Sequence, residues 1–133
     1  MKENIVKDKS LDFAVRIVKL YQYLSFVKNE YVMSKQVLKS GTAIGALVRE
    51  SEHAESKADF IHKLAIAQKE SNETLYWLEL LMLTQYLEKS EYESINQDGT
   101  EIIKLLTKIT LLVATQIRKT SNINIKMDED KID

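Results

Sequence analysis

Apolar side chains recur along this chain at intervals of three and four residues, the spacing of one face of an α-helix. The first such segment opens at Ser10, which is placed to cap a helix ending near Asn29. It carries two neighbouring apolar stripes: Leu11, Ala14, Val15 and Val18, and then Phe13, Ile17, Leu20, Leu24 and Val27. Two stripes exceed the needs of one core-facing surface, so this helix is predicted to bury apolar side chains on two sides.

Three further helical segments follow. The second is predicted from about Ser34 to His53. The third opens at the capping box Ser56–Asp59 and continues to about Glu88, and the fourth opens at a second box, Ser90–Glu93, and continues to about Lys119. Gly99 is predicted to mark a bend. Short connections predict an all-α, up-down-up-down antiparallel four-helix bundle over residues 1–120, followed by a frayed acidic tail over residues 121–133.

Composition supports one helical domain. The 133 residues include no proline, no cysteine and three glycines, so disulfides and cysteine metal sites are excluded. No apolar run approaches the roughly 20 residues of a membrane span, and the first residues do not resemble a signal peptide. We therefore expect a cytoplasmic protein with no membrane partner. Because no catalytic or cofactor-binding motif is present, we also expect neither enzyme activity nor a cofactor.

More apolar surface is present than one bundle core needs. The first, third and fourth helices all carry apolar side chains beside their inner stripes, which a monomer would expose as a large patch. Self-association is therefore predicted. The candidate residues for the interface between copies are Phe13, Leu20, Tyr76, Trp77 and Leu80.

Gly41 and Gly45 lie one turn apart on the second helix. Each glycine costs about 1 kcal/mol of helix propensity relative to alanine, so a compensating role is expected. Close packing of a neighbouring helix is one interpretation, and room for a ligand or a nucleic-acid backbone is the other.

Two carboxylate–histidine pairs surround the turn between the second and third helices. Glu50 precedes His53 by three residues, and Asp59 precedes His62 by the same spacing. Di-iron bundles use Glu-x-x-His on two helices with further glutamates from the other two. Here the supporting glutamates are missing and the pairs flank one turn, so we predict no metal site.

Basic side chains concentrate around the second helix and the start of the third, although the net charge is −1. A solvated surface is the simplest interpretation, but an oligomer would repeat the group and strengthen its field. The candidate nucleic-acid-binding residues are Lys35, Lys39, Arg49, Lys57 and Lys63.

Four segments resemble a known bacterial family, the four-helix-bundle proteins linked to intervening sequences of 23S rRNA. They are Ser40–Glu50 (SGTAIGALVRE), Ser56–Ala67 (SKADFIHKLAIA), Lys69–Thr74 (KESNET) and Tyr76–Leu80 (YWLEL). The resemblance covers roughly residues 10–118. It implies a barrel-shaped homopentamer, because family members form such rings. Related bundles are accessory proteins of diversity-generating retroelements that bind nucleic acid and a reverse transcriptase.

The chain departs from this family at Leu47, where asparagine is common, and in its near-neutral charge, since the retroelement proteins are basic. Two functions follow as hypotheses. The first is a non-catalytic homo-oligomer, pentameric by resemblance, that binds RNA or another nucleic acid through its basic residues. The alternative is a scaffold or adaptor ring whose partner is another protein, favoured if nearby carboxylates mask the basic surface.

Overall fold

The computed structural model describes the backbone of residues 2–132 and the side chains of residues 5–130. Four helices occupy almost all of this range: α1 Lys2–Phe26, α2 Met33–Ser51, α3 Lys57–Leu83 and α4 Lys89–Ile132. No strand is present in residues 2–132. The all-α prediction is therefore confirmed.

The helices pack in a closed circuit of sequential neighbours. The backbone of α1 lies close to those of α2 and α4, and that of α3 close to the same two, whereas within residues 2–132 the backbones of the diagonal pairs α1–α3 and α2–α4 stay farther apart. The α1–α4 pair runs antiparallel, because Arg16 pairs with Asp98 at 2.8 Å and Lys9 with Glu101 at 2.8 Å. This is the predicted up-down-up-down bundle.

The core is a single cluster of aliphatic side chains closed by one aromatic ring, Phe13. The apolar spacing predicts Leu64, Leu78, Leu105 and Ile109 to be inside the bundle, and all of these except Leu105 are buried. On α4 the fully buried leucine is Leu106, whereas Leu105 packs against the core half-buried.

Helix α1 begins earlier than the sequence predicts. It starts at Lys2, so Ser10 does not cap it; Ser10 is buried inside the helix and its hydroxyl donates to the Lys7 carbonyl at 3.0 Å. The reason is Val6, which is 2 % exposed and belongs to the core cluster. Because Val6 is buried in the core, the helix includes the mostly polar turn that precedes it.

The connection between α1 and α2 is organised by Glu30. Asn29 has a left-handed φ of 54°, and the Glu30 N–H donates to the Leu24 carbonyl at 2.8 Å. The Glu30 carboxylate then accepts the backbone N–H groups of Val32, Met33 and Ser34 at 3.0, 2.9 and 2.7 Å. Helix α2 therefore begins on a buried carboxylate, one residue before the predicted Ser34.

Burial alone would raise the pKa of the Glu30 carboxyl, because desolvation disfavours its charged form. The three backbone N–H donors outweigh this effect, and the pKa lies below its ordinary value. Glu30 is thus an ionised group held at a helix N-terminus, where a negative charge is stabilised by the helix dipole.

The connection between α3 and α4 also differs from the prediction. Ser56 caps α3 as expected, accepting the Asp59 N–H at 3.0 Å. Helix α3 ends at Leu83 rather than near Glu88, because Gln85 adopts a left-handed φ of 69°. Helix α4 begins at Lys89, so Ser90 lies inside its first turn instead of capping it.

Helix α4 is continuous over 44 residues, about 66 Å at 1.5 Å per residue. Gly99 is buried inside it and does not interrupt the helix; a Cβ there would lie 2.7 Å from Leu75 Cδ2. The predicted frayed tail is helical to Ile132, since no glycine or proline interrupts the chain after Gly99. Side chains 118–130 are all exposed, so α4 projects beyond the bundle. Asp133 lies outside the described residues.

Candidate nucleic-acid interface

Three of the predicted basic residues form a row on the outside of α2. One face of this helix packs in the core, where Val37, Ile44 and Val48 are buried. With 3.6 residues per turn, Lys35, Lys39 and Arg49 then fall on the opposite face, and all three are exposed. Among the residues with described side chains, none of these three cations takes part in an ion pair. The row is about 21 Å long.

The other two predicted basic residues do not join this row. Lys57 is exposed at the start of α3, beside the cavity at the end of the bundle. Lys63 is half-buried and lies 3.9 Å from Glu50, so its charge is partly compensated. The structure therefore separates Lys57 and Lys63 from the α2 row.

Carboxylates gather at the C-terminal end of the α2 row. A shallow recess there is lined by Glu50, His53, Glu55, Asp59 and Lys63. Asp59 accepts the Glu55 N–H at 3.2 Å, which holds it in the turn. No group of three or more histidine and carboxylate side chains suited to a metal is found among the described residues.

Gly41 and Gly45 face α1. A Cβ at Gly41 would lie 2.8 Å from Ile17 Cγ1, and one at Gly45 would lie 3.4 Å from the Ser10 carbonyl oxygen. The space beside both glycines is therefore occupied by α1. In this chain the glycines allow close helix packing, and neither faces the basic row.

Phe13 and Leu20, the two α1 residues predicted to lie at an interface between copies, are not exposed on the surface of the bundle. Phe13 is 2 % exposed and lies in the core, so that assignment is wrong, and Leu20 is half-buried against the core. The exposed stripe is the other one, with Leu11, Val15 and Val18 exposed by 47, 48 and 38 %. These three side chains follow each other at i, i+4 and i+7 and share one outward face.

On α3 the exposed apolar surface is carried by Tyr76. Its ring meets that of Trp77 edge to face, with centroids 5.0 Å apart, while Trp77 itself is half-buried against the core. Leu80 is half-buried and Leu83, at the end of the helix, is exposed. The outward face of α3 is therefore apolar near its C-terminal end.

A second basic row lies on α4 and was not predicted from the sequence. Between Glu101 and Asp128 the chain has five basic residues and no acidic one. At 3.6 residues per turn they fall within one outward arc of the helix. All five are exposed: Lys104, Lys108, Arg118, Lys119 and Lys126. The absence of acidic residues over this stretch is the pattern that could have revealed the row.

A cavity lies at the end of the bundle from which α4 projects. It has a volume of about 620 Å³. Its floor includes Val6, Val48 and Leu64, and Lys7 and Lys57 line its edge. Lys7 is already paired with Glu52 at 3.2 Å.

Within residues 2–132, none of the helices combines the length and apolar character that crossing a bilayer requires. The family model for "23S rRNA-intervening sequence protein" matches residues 2–108. No curated protein matches the chain. A solved structure from Bacteroides thetaiotaomicron, described as a protein of unknown function from the S23 ribosomal protein family, is 64 % identical. Its match covers 83 % of this chain and 98 % of its own, with a TM-score of 0.82.

Proposed function

Because the chain belongs to the 23S rRNA-intervening sequence protein family, we propose that it is a non-catalytic, homopentameric helical bundle that binds RNA or another nucleic acid through basic residues repeated around the ring. The observation that carries the proposal is the α2 row. Lys35, Lys39 and Arg49 share one exposed face, and none of the three forms an ion pair with a described side chain. A polyanion supplies the missing counter-charge.

Assembly is supported by the position of the exposed apolar surfaces. Leu11, Val15 and Val18 lie on α1, and Tyr76 and Leu83 lie on α3, the diagonally opposite helix. A copy that places its α1 face against the α3 face of the next forms a heterologous contact, which closes into a ring when the rotation allows. Because these side chains are already about half buried in the subunit, burying the rest of each contributes about 1 kcal/mol.

A ring of this kind strengthens the α2 row. When α1 and α3 are used for contacts between copies, the outward face of α2 remains free in every subunit. The row is then repeated once per subunit, and the summed potential exceeds that of a monomer. Neither row carries an aromatic side chain, so contacts to phosphates are expected to dominate over base stacking.

Titration of labelled RNA and DNA at low and moderate salt tests binding. The combined substitution Lys35→Glu, Lys39→Glu and Arg49→Glu is expected to abolish it, and wild-type binding should weaken steeply with salt. A matched control reverses three exposed lysines away from both basic rows: Lys19, Lys28 and Lys89. If wild type fails to bind at low salt, or the α2 variant binds like the control, nucleic-acid binding by this face is rejected.

Native mass spectrometry tests assembly independently. The expected species has five times the mass of the 15.4 kDa chain. Val15→Glu places a charge in the exposed α1 stripe and should yield folded monomers. A folded wild-type monomer at micromolar concentration would contradict the proposed assembly. A stable dimer would contradict only the proposed number of five subunits.

The carboxylates near Lys63 favour a second candidate function, a scaffold ring for a protein partner. Glu50 is 3.9 Å from Lys63, and Glu55 and Asp59 line the same recess. These groups reduce the positive field at one end of α2. Failure of both RNA and DNA to bind an intact ring would favour this alternative.

A further inference from the structure

The outward face of α4 carries a basic row longer than that of α2. From Lys104 to Lys126 it extends over about 33 Å of helix. Lys104, Lys108 and Arg118 are exposed, and within residues 5–130 no carboxylate forms an ion pair with any cation of the row. Five like charges on one side of a helix, none of them in an ion pair, give this face a positive potential that attracts an anionic ligand.

We propose that this face is a second nucleic-acid surface, which contacts the phosphates of a duplex along the length of α4. The inference shares its ligand class with the proposed function, but it uses a different face of the bundle. Helices α2 and α4 are diagonal in the bundle, and within the described residues their backbones do not approach each other closely. The two basic rows therefore face away from each other, so a nucleic acid that contacts one row need not contact the other.

A duplex fits the row better than a single strand does. The row lies on one continuous helix over a length that corresponds to roughly ten base pairs, and a duplex is stiff on that scale. Residues 102–127 contain no aromatic side chain on which unpaired bases could stack. Thr115 and Asn122 are exposed on the same face as the cations and can donate hydrogen bonds to phosphate oxygens.

Acidic residues end the α4 basic row on its C-terminal side. Asp128, Glu129 and Asp130 follow Lys126 directly and are exposed, so the last turn of α4 repels phosphates. The contact is therefore expected along the middle of α4, from Lys104 to Lys119. Because the family match ends at residue 108, Arg118 and Lys119 lie on a segment outside it.

The test compares salt dependence of binding to a 30-base-pair RNA duplex and to its single strand, with the full chain. The α4 variant replaces three cations by glutamine: Lys104, Lys108 and Arg118. Equivalent glutamine variants are made at the α2 row and at Lys19, Lys28 and Lys89 as a matched control. Helical content and assembly mass are measured for every variant.

Each lost phosphate contact lowers the slope of log K against log salt by about 0.9, so the α4 variant should lose roughly three units of slope and about two orders of magnitude in affinity. The control should bind like wild type. If the α4 variant also binds like wild type while the α2 variant is weakened, this inference is wrong and the proposed function stands. Equal affinity for single strand and duplex would overturn the duplex assignment, and no wild-type binding to either would overturn both proposals.

Discussion

Glu30 offers a sharp test of how α2 is held in place. The residue is 7 % exposed, and its carboxylate accepts three backbone N–H groups at the start of the helix. Replacing a helix cap by alanine costs about 1–2 kcal/mol, and loss of the charge beside the helix N-terminus costs about 1 kcal/mol more. Glu30→Ala should therefore lower the free energy of unfolding by about 2–3 kcal/mol.

Glu30→Gln separates the charge from the hydrogen bonds. Glutamine keeps one acceptor oxygen but cannot be ionised, so this variant should lose about 1–2 kcal/mol at pH 7. The pKa of Glu30 is lowered in the folded state from an ordinary value of 4.5. Its ionised form therefore stabilises the fold above that pH, and this contribution is lost as the pH falls through the folded-state pKa.

Urea denaturation followed by circular dichroism at several pH values measures both effects. The difference between wild type and Glu30→Gln should be largest at neutral pH and should shrink steadily once the pH drops below about 4.5. Glu129→Gln, at an exposed position near the end of α4, is the matched control. A difference between wild type and Glu30→Gln that stays constant with pH would refute the role given to the charge.

Three further stability predictions follow from packing and backbone geometry, each measured as a shift in the urea midpoint. Gly41→Ala should destabilise the fold by about 1–3 kcal/mol because its Cβ would overlap a buried side chain of α1, whereas Gly45→Ala should be neutral or stabilising by up to about 1 kcal/mol; equal effects would contradict this packing. Leu106→Ala should cost about 2–5 kcal/mol and Leu105→Ala about 1–2 kcal/mol, and the reverse order would mean that α4 is rotated. Gln85→Gly should stabilise by about 1 kcal/mol because it relieves a left-handed backbone; a loss of stability would argue against that conformation.

The number and type of elements could be predicted from the sequence, but helix ends could not. Apolar periodicity is repeated over many residues, so it identifies each helix even when single positions are ambiguous. The ends depend on single local arrangements instead. Gln85 takes a left-handed conformation without being glycine or asparagine, and Glu30 caps α2 through its side chain from outside the helix. Neither arrangement follows from residue type.

The two stripes of α1 show why the exposed apolar surface of this helix was partly misplaced. Both stripes have helical spacing, so periodicity cannot decide which one faces the core. Tertiary packing decides it, because the Cβ-free surfaces of Gly41 and Gly45 receive the side of α1 that carries Ile17 and Ser10. Phe13 then turns inward, and Leu11 remains outside. The surplus of apolar surface was predictable, but its location depends on the helix that packs against it.

The net charge of −1 does not argue against the proposed binding to polyanions. Carboxylates contribute to that total while being used elsewhere: Asp98 and Glu101 pair with α1 cations, and Glu30 caps α2. The acidic tip at Asp128 lies about 30 Å along α4 from Lys108, several times the roughly 8 Å over which charges are screened at physiological ionic strength. The middle of the α4 row is therefore outside the reach of this acidic end, whereas Lys126 lies directly beside it. Binding should respond to charge changes within a row and should be insensitive to equal changes at distant carboxylates.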